Sequence, residues 1–166
     1  MSDMQRTSAP HSDLAKLPHR IVVIDDDDRD IDYMATLGGP GSAPRLVIDC
    51  FNTVADALEL LSSRGADLVI LDDQLAFGEK AEHSLERFLK ANYRGPIAIV
   101  SGFVAPGRRE HLMRSGIISF LDKDEIDRAN LNLLLEMAKA RDQMFRRAPS
   151  LPDLGAARPL KNLVAA

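Results

Sequence analysis

Residues 21–26 read Ile-Val-Val-Ile-Asp-Asp, a run of four β-branched residues that ends in two carboxylates. A continuous apolar run of this length is typical of a strand that is buried on both faces, as strands of a parallel sheet are. Short apolar runs of the same kind recur along the chain. We therefore predict five strands, at Ile21–Ile24, Leu46–Ile48, Leu68–Leu71, Ile97–Val100 and Ile117–Leu121.

Helical patterns alternate with these runs. Apolar residues recur at helical spacing in the stretches 31–37, 54–61, 85–89, 109–114 and 126–147, and Gly or Pro follows several of them. Strands that alternate with helices predict an α/β fold, a doubly wound five-stranded parallel sheet with five helices on its two faces.

The last predicted helix raises a question about its exposed face. Its predicted core stripe consists of Leu133, Leu134, Met137 and Ala138, so that Leu131 and Leu135 lie off it. Two interpretations stand side by side: a wide buried face, or a docking surface that changes with the state of the protein.

Composition limits the class of protein. The 166 residues suit one domain, and we expect it to span residues 19–147, between a disordered N-terminal tail (1–18) and a flexible C-terminal tail (148–166). The net charge of −4 argues against general nucleic-acid binding, and no apolar run is long enough to cross a membrane. One cysteine excludes an internal disulfide and fits the cytoplasm, where we expect the protein to reside.

Polar side chains follow four of the five predicted strands: Asp25-Asp26, Asp72-Asp73, Ser101 and Asp122-Lys123. The carboxyl ends of parallel strands meet at one edge of a sheet, where ligands bind. Each group alone is an ordinary turn residue, but their joint occurrence predicts a site. Clustered carboxylates repel one another unless a cation neutralises them, and oxygen ligands suit Mg²⁺. A carboxylate there could accept a phosphoryl group.

At these residues the sequence resembles the receiver domain of two-component response regulators, over roughly residues 20–140. The matching segments are those around Asp25-Asp26, Asp67–Asp72, Ser101-Gly102 and Phe120–Lys123. The resemblance implies a flavodoxin-like sheet in the order 2-1-3-4-5. It also implies that Asp72 is the phosphoacceptor and that Mg²⁺ is held by Asp25, Asp26, Asp72 and the backbone carbonyl of Gln74.

The same resemblance implies a set of switch residues. Ser101 matches the hydroxyl that bonds the phosphoryl group, and Lys123 matches the lysine that pairs with it. Phe120 matches the aromatic residue whose rotamer reports the state, and Gly102 the small residue beside the phosphate. Within strand three, alternation allows only one of Asp72 and Asp73 to point into the site. The family register implies that this residue is Asp72, and we expect Asp73, on the departing loop, to be solvated.

Two positions depart from the family pattern. Ala76 and Asp124 stand where prolines are usual, which puts the geometry of the two loops in doubt but removes no reacting group. With no second folded domain predicted, we expect a stand-alone signalling domain, not an enzyme. Its expected partners are a sensor histidine kinase or histidine phosphotransfer protein, and a downstream protein.

Two other functions remain open at this point. A phosphatase of the haloacid dehalogenase type also uses an aspartyl nucleophile, and Asp25 and Asp27 superficially resemble its first motif. Against this function, Arg29 stands where that motif has Thr or Val, and the chain has no room for a cap domain. A pseudo-receiver, which binds its partner without phosphate, is the better alternative because of the changed loops.

Overall fold

The computed structural model describes residues 17–39, 44–103 and 105–147. The predicted tails, apart from residues 17 and 18, lie outside the described residues. Strands and helices alternate along the described chain, except that two short strands follow the third strand directly. They are β1 (His19–Ile24), α1 (Asp28–Thr36), β2 (Leu46–Phe51), α2 (Val54–Arg64), β3 (Leu68–Asp72), β4 (Gln74–Leu75), β5 (Glu79–Lys80), α3 (Ala81–Lys90), β6 (Ile97–Ser101), α4 (Pro106–Arg114), β7 (Ser119–Asp122) and α5 (Arg128–Arg147).

The main sheet has five parallel strands in the order β2-β1-β3-β6-β7. This is the predicted doubly wound order, and the fold class is confirmed. The registers bring the ends of three neighbouring strands level, with Asp72 opposite Val100 and Ser101 opposite Asp122. The strand boundaries differ from the prediction by one to three residues. Strand pairing extends beyond the apolar runs, for example at His19, Phe51 and Asp72, whereas β7 begins two residues later than predicted.

Alternation along the strands divides the core into two layers. Val69, Leu71 and Ile99 pack on the side of α2, α3 and α4. Ile70 and Val100 pack on the side of α1 and α5. Continuing this alternation, Asp72 belongs to the α1–α5 side, whereas Asp73 and Ser101 belong to the α3–α4 side.

The prediction of which side of α5 is buried is wrong in part. Leu131, Leu134, Leu135 and Ala138 are all buried, at spacings of three and four residues, whereas Leu133 is 58% exposed. Met137 is also exposed. Leu131 and Leu135 therefore belong to the core and cannot form a docking surface in this structure. The predicted stripe was one residue out of phase, because four leucines within residues 131–135 allow more than one apolar face.

A short hairpin, absent from the prediction, follows the acidic end of β3. β4 and β5 pair antiparallel around a tight turn at Ala76–Gly78. Phe77 has φ 61° there, in the left-handed region, and its side chain is exposed. The hairpin returns the chain to the sheet, where the Ala81 N–H donates to the Asp73 carbonyl at 2.9 Å. The loop that carries Ala76 is thus closed by backbone pairing.

Among the described residues, no helix has the length and apolar character needed to cross a membrane.

Candidate functional site

Three carboxylates meet at the carboxyl edge of the sheet. Asp25 follows β1 and Asp72 ends β3, and both are buried. Together with the exposed Asp26, they place one oxygen each within 4.8 Å of one another. The Asp25 carboxylate also accepts from the Asp27 N–H at 2.9 Å, which orients it. Three hard oxygen ligands at this spacing fit a small divalent cation such as Mg²⁺.

Asp26 differs from the other two members of the cluster. Among the described residues its side chain has no hydrogen-bond or ion-pair partner, whereas Asp25 and Asp72 both contact Lys123. Its carboxylate therefore contributes no visible contact to the fold. Asp26 is the member whose removal would change the ligand set with the least structural consequence.

Lys123 balances part of the negative charge of this cluster. Its ammonium donates to Asp25 at 2.9 Å, to Asp72 at 3.1 Å and to Asp30 at 2.7 Å. Burial alone would lower the pKa of Lys123, but the hydrogen bonds to Asp30 and Asp25 outweigh it and raise that pKa above its ordinary value. The ammonium therefore stays charged and is shared between the sheet edge and α1.

Asp30 was missed in the sequence. It lies on the first turn of α1, one turn after the acidic pair, so the strand-end argument did not reach it. The available signal was the acidic first turn of α1, which continues the acidic run 25–28 onto the helix. Asp30 holds Lys123 on the α1 side and supplies a third acceptor for it.

The environment of Asp72 disfavours its charge. Burial, and next the neighbouring Asp25 carboxylate, raise the pKa of Asp72 to about 6, although Lys123 and the Gln74 N–H act in the opposite direction. In the absence of a cation, part of the Asp72 population is thus protonated near pH 6. A divalent cation would remove the repulsion that disfavours the carboxylate.

We predict that Asp72→Asn stabilises the metal-free protein. Because the folded-state pKa of Asp72 lies above its ordinary value, the folded protein binds more protons between pH 4 and 6, and stability falls as pH rises through that window. The rise from 3.8 to about 6 corresponds to roughly 3 kcal/mol. In EDTA, urea unfolding should show Asp72→Asn more stable than wild type at pH 7 and nearly equal at pH 4. Lower stability of the variant at pH 7 would contradict the assignment.

Asp73 is not solvated, contrary to expectation. Its side chain is 9% exposed and pairs with Arg108 at 2.5 Å. Arg108 in turn donates to both Glu82 oxygens, at 2.9 and 2.7 Å. No feature of the sequence predicts this contact, because the arginine lies 35 residues further along the chain. Asp73 is thus a buried ion-paired residue on the α3–α4 side of the sheet.

The hydroxyl of Ser101 faces this ion pair. Its oxygen lies 3.4 Å from an Asp73 oxygen and 3.1 Å from the Phe103 carbonyl. Ser101 itself is 8% exposed. The structure therefore brings Asp25, Asp26, Asp72 and Lys123 together, and places Ser101 beside Asp73.

The other predicted switch residues lie around this edge. Phe120 is buried, and the Arg109 guanidinium lies 5.4 Å from its ring centroid and donates to its carbonyl at 3.0 Å. Gly102 is exposed, and a Cβ there would meet nothing within 4 Å, so sterics do not require glycine. The Gln74 side chain is exposed, and its backbone N–H lowers the pKa of the neighbouring Asp72 carboxyl.

The loop after β7 is held without a proline. Residues Lys123–Glu125 form a 3₁₀ turn, and the Asp124 N–H donates to the Asp122 carboxylate at 3.1 Å. A proline at position 124 has no N–H and could not make this bond. The turn therefore gives a local reason for the departure at Asp124 and presents Lys123 to the cluster.

Comparisons with known proteins support the fold. No family model matches the sequence, and no curated protein matches it. Among solved structures, the chain is similar to the receiver domain of a LuxO repressor protein from Vibrio parahaemolyticus, with TM-score 0.63, 20% identity, and 77% and 98% of the two chains covered. The chain is also similar to the receiver domain of an HD domain-containing protein from Pseudomonas fluorescens, with TM-score 0.62 and 21% identity. That match covers 77% of this chain and 99% of the other.

A third solved structure agrees with these two. The receiver domain of a Francisella response regulator matches with TM-score 0.62 and 18% identity, and the match covers 75% of this chain and 98% of the other. The similarity extends over nearly the whole of each known domain, and it rests on shape because few residues are identical. The described chain has the fold of the receiver domains of response regulators.

Proposed function

We propose that this protein is a phospho-accepting receiver in a two-component signalling system. Asp72 accepts a phosphoryl group from a histidine kinase or a histidine phosphotransfer protein. Asp25, Asp26 and Asp72 hold Mg²⁺, with the Gln74 carbonyl as a further ligand. The phosphorylated protein then signals by docking to another protein or by passing the group on in a phosphorelay.

The observation that carries the proposal is the arrangement around Asp72. A buried carboxylate at a strand end lies within 4.8 Å of two further carboxylates and 3.1 Å from a lysine ammonium. A structural ion pair would need only one carboxylate for one lysine. The excess of negative charge is explained if a cation also binds there, as phosphoryl transfer requires.

The residues divide the work of transfer. An Asp72 oxygen attacks phosphorus, the P–N bond to the donor histidine breaks, and the histidine nitrogen keeps the electron pair. Bound Mg²⁺ would neutralise charge on the phosphoryl oxygens. Lys123, already 3.1 Å from Asp72, can move to a phosphoryl oxygen, and Ser101 can donate its hydroxyl proton to another. Phe120 and Gly102 then border the new group.

The experiment is incubation with acetyl phosphate followed by intact mass. Wild-type protein should gain the mass of one phosphoryl group when Mg²⁺ is present and much less when EDTA replaces it. Acid or hydroxylamine treatment should remove the added phosphoryl group, because both cleave an acyl phosphate and leave a phosphoserine intact. No mass gain with Mg²⁺ would favour the pseudo-receiver, a module that binds its partner without phosphate.

A further inference from the structure

A half-buried ion-pair cluster links the sheet to two helices beside the site. The Arg108 cluster, defined as Asp73, Glu82 and Arg108, joins the end of β3 to the first turns of α3 and α4. Arg108 uses three donors, one toward Asp73 and two toward Glu82. The two carboxylates raise the pKa of Arg108, so its charge is permanent. The Asp73 carboxylate is therefore held by Arg108 through one of its oxygens, Oδ2.

The hydroxyl of Ser101 has a hydrogen-bond partner in this cluster, on the α3–α4 side of the sheet. A hydroxyl has one proton, and in this structure its acceptors are Asp73 and the Phe103 carbonyl. The Ser101 oxygen also accepts from the Phe103 N–H at 3.3 Å. No described hydrogen bond joins Ser101 to Asp72. Strand alternation explains this, since Ser101 and Asp73 share one side of the sheet and Asp72 lies on the other.

We infer that Asp73, fixed by Arg108, is a positioning residue for Ser101, which it holds on the α3–α4 side in competition with a phosphoryl group on Asp72. The inference rests on the proposed function, in which Ser101 bonds that group. The single hydroxyl proton of Ser101 cannot make a full hydrogen bond to Asp73 and to a phosphoryl oxygen at the same time. A charged acceptor strengthens the resting bond, but 3.4 Å is long, so the restraint is weak enough for a phosphoryl oxygen to overcome.

The first test needs no phosphoryl group. In the full chain, Asp73→Ala removes one of the two acceptors of the Ser101 hydroxyl and leaves the Phe103 carbonyl. Arg108 keeps Glu82 as a partner. The Hα–Hβ couplings of Ser101, measured by NMR, should report one dominant rotamer in wild type and rotamer averaging in Asp73→Ala. Asp73→Asn preserves the volume and should shift the couplings in the same direction by less. Unchanged couplings in both folded variants would overturn the inference.

The second test measures competition directly. Beryllofluoride, a phosphoryl analogue, should bind Asp73→Ala about three- to tenfold more tightly than wild type in the presence of Mg²⁺, because the hydroxyl is released. In a Ser101→Ala background the same substitution should have no effect. A gain that persists without the hydroxyl would mean that Asp73 acts through its charge alone, and would overturn the inference.

The controls separate the two claims. Glu110→Gln, on the exposed surface of α4, should leave both readouts at wild-type values. If wild type binds no beryllofluoride, the proposed function fails, and the Ser101 couplings still decide whether Asp73 positions the hydroxyl. If wild type binds it and Asp73→Ala binds it no better, the positioning inference alone fails.

Discussion

Asp26→Ala should lower the Mg²⁺ affinity of the protein by at least about tenfold, since even residues that only support metal ligands commonly contribute that much. Asp26 supplies one of the three carboxylate oxygens that lie within 4.8 Å of one another. Without it, the site keeps the two buried carboxylates, whose charge Lys123 already balances in part. The remaining attraction for a strongly hydrated cation should therefore be weak.

The same substitution should leave the metal-free fold unchanged. No described contact of the Asp26 side chain is lost, so the thermal midpoint in EDTA should match that of wild type. The midpoint should rise with Mg²⁺ in wild type and much less in the variant, because a ligand that binds the folded state stabilises it. Titration calorimetry and thermal unfolding give two independent readouts of this difference.

Asp32→Ala is the matched control for this prediction. Asp32 is an exposed carboxylate on α1, outside the acidic cluster, so its removal changes the net charge by the same amount. It should bind Mg²⁺ nearly as wild type does. Equal Mg²⁺ affinities of Asp26→Ala and Asp32→Ala would contradict the prediction. They would mean either that the metal binds elsewhere or that Mg²⁺ only screens the overall negative charge.

The sequence predicts the sheet well because each strand has two signals, an apolar run and the polar or turn residues that follow it. The run Ile21–Ile24 is β-branched, and polar or turn residues follow it directly. Its neighbour Leu68–Leu71 has the same form and ends in Asp72. Such runs are too short for helices and too apolar for loops. The convergence of Asp25, Asp72 and Lys123 then follows from parallel strands, whose carboxyl ends share one edge.

Side-chain pairing between distant elements could not be predicted in the same way. Asp73 was expected in solvent because it falls on the loop that leaves β3, and no feature of the sequence indicates that Arg108 reaches it. Position along a strand fixes which side of the sheet a residue occupies, but its partner depends on how α4 packs. The error on Leu131 and Leu135 has a related cause, since a leucine-rich helix allows several faces and only tertiary contacts choose one.

The identity of the acceptor is the central claim, and two isosteric variants test it. Asp72→Asn keeps the shape of the side chain and removes the nucleophile, so phosphorylation should be abolished while the fold persists. Asp73→Asn alters the neighbouring carboxylate, which faces Arg108 on the other side of the sheet, and should still be phosphorylated. Because the two residues are adjacent, the comparison tests the register of β3 as well as the chemistry.

The decisive measurement is the intact mass of wild type, Asp72→Asn and Asp73→Asn after the same incubation with acetyl phosphate and Mg²⁺, with circular dichroism to establish that each is folded. The account predicts one added phosphoryl group on wild type and on Asp73→Asn, and none on Asp72→Asn. Labelling that survives Asp72→Asn and disappears in Asp73→Asn would contradict it.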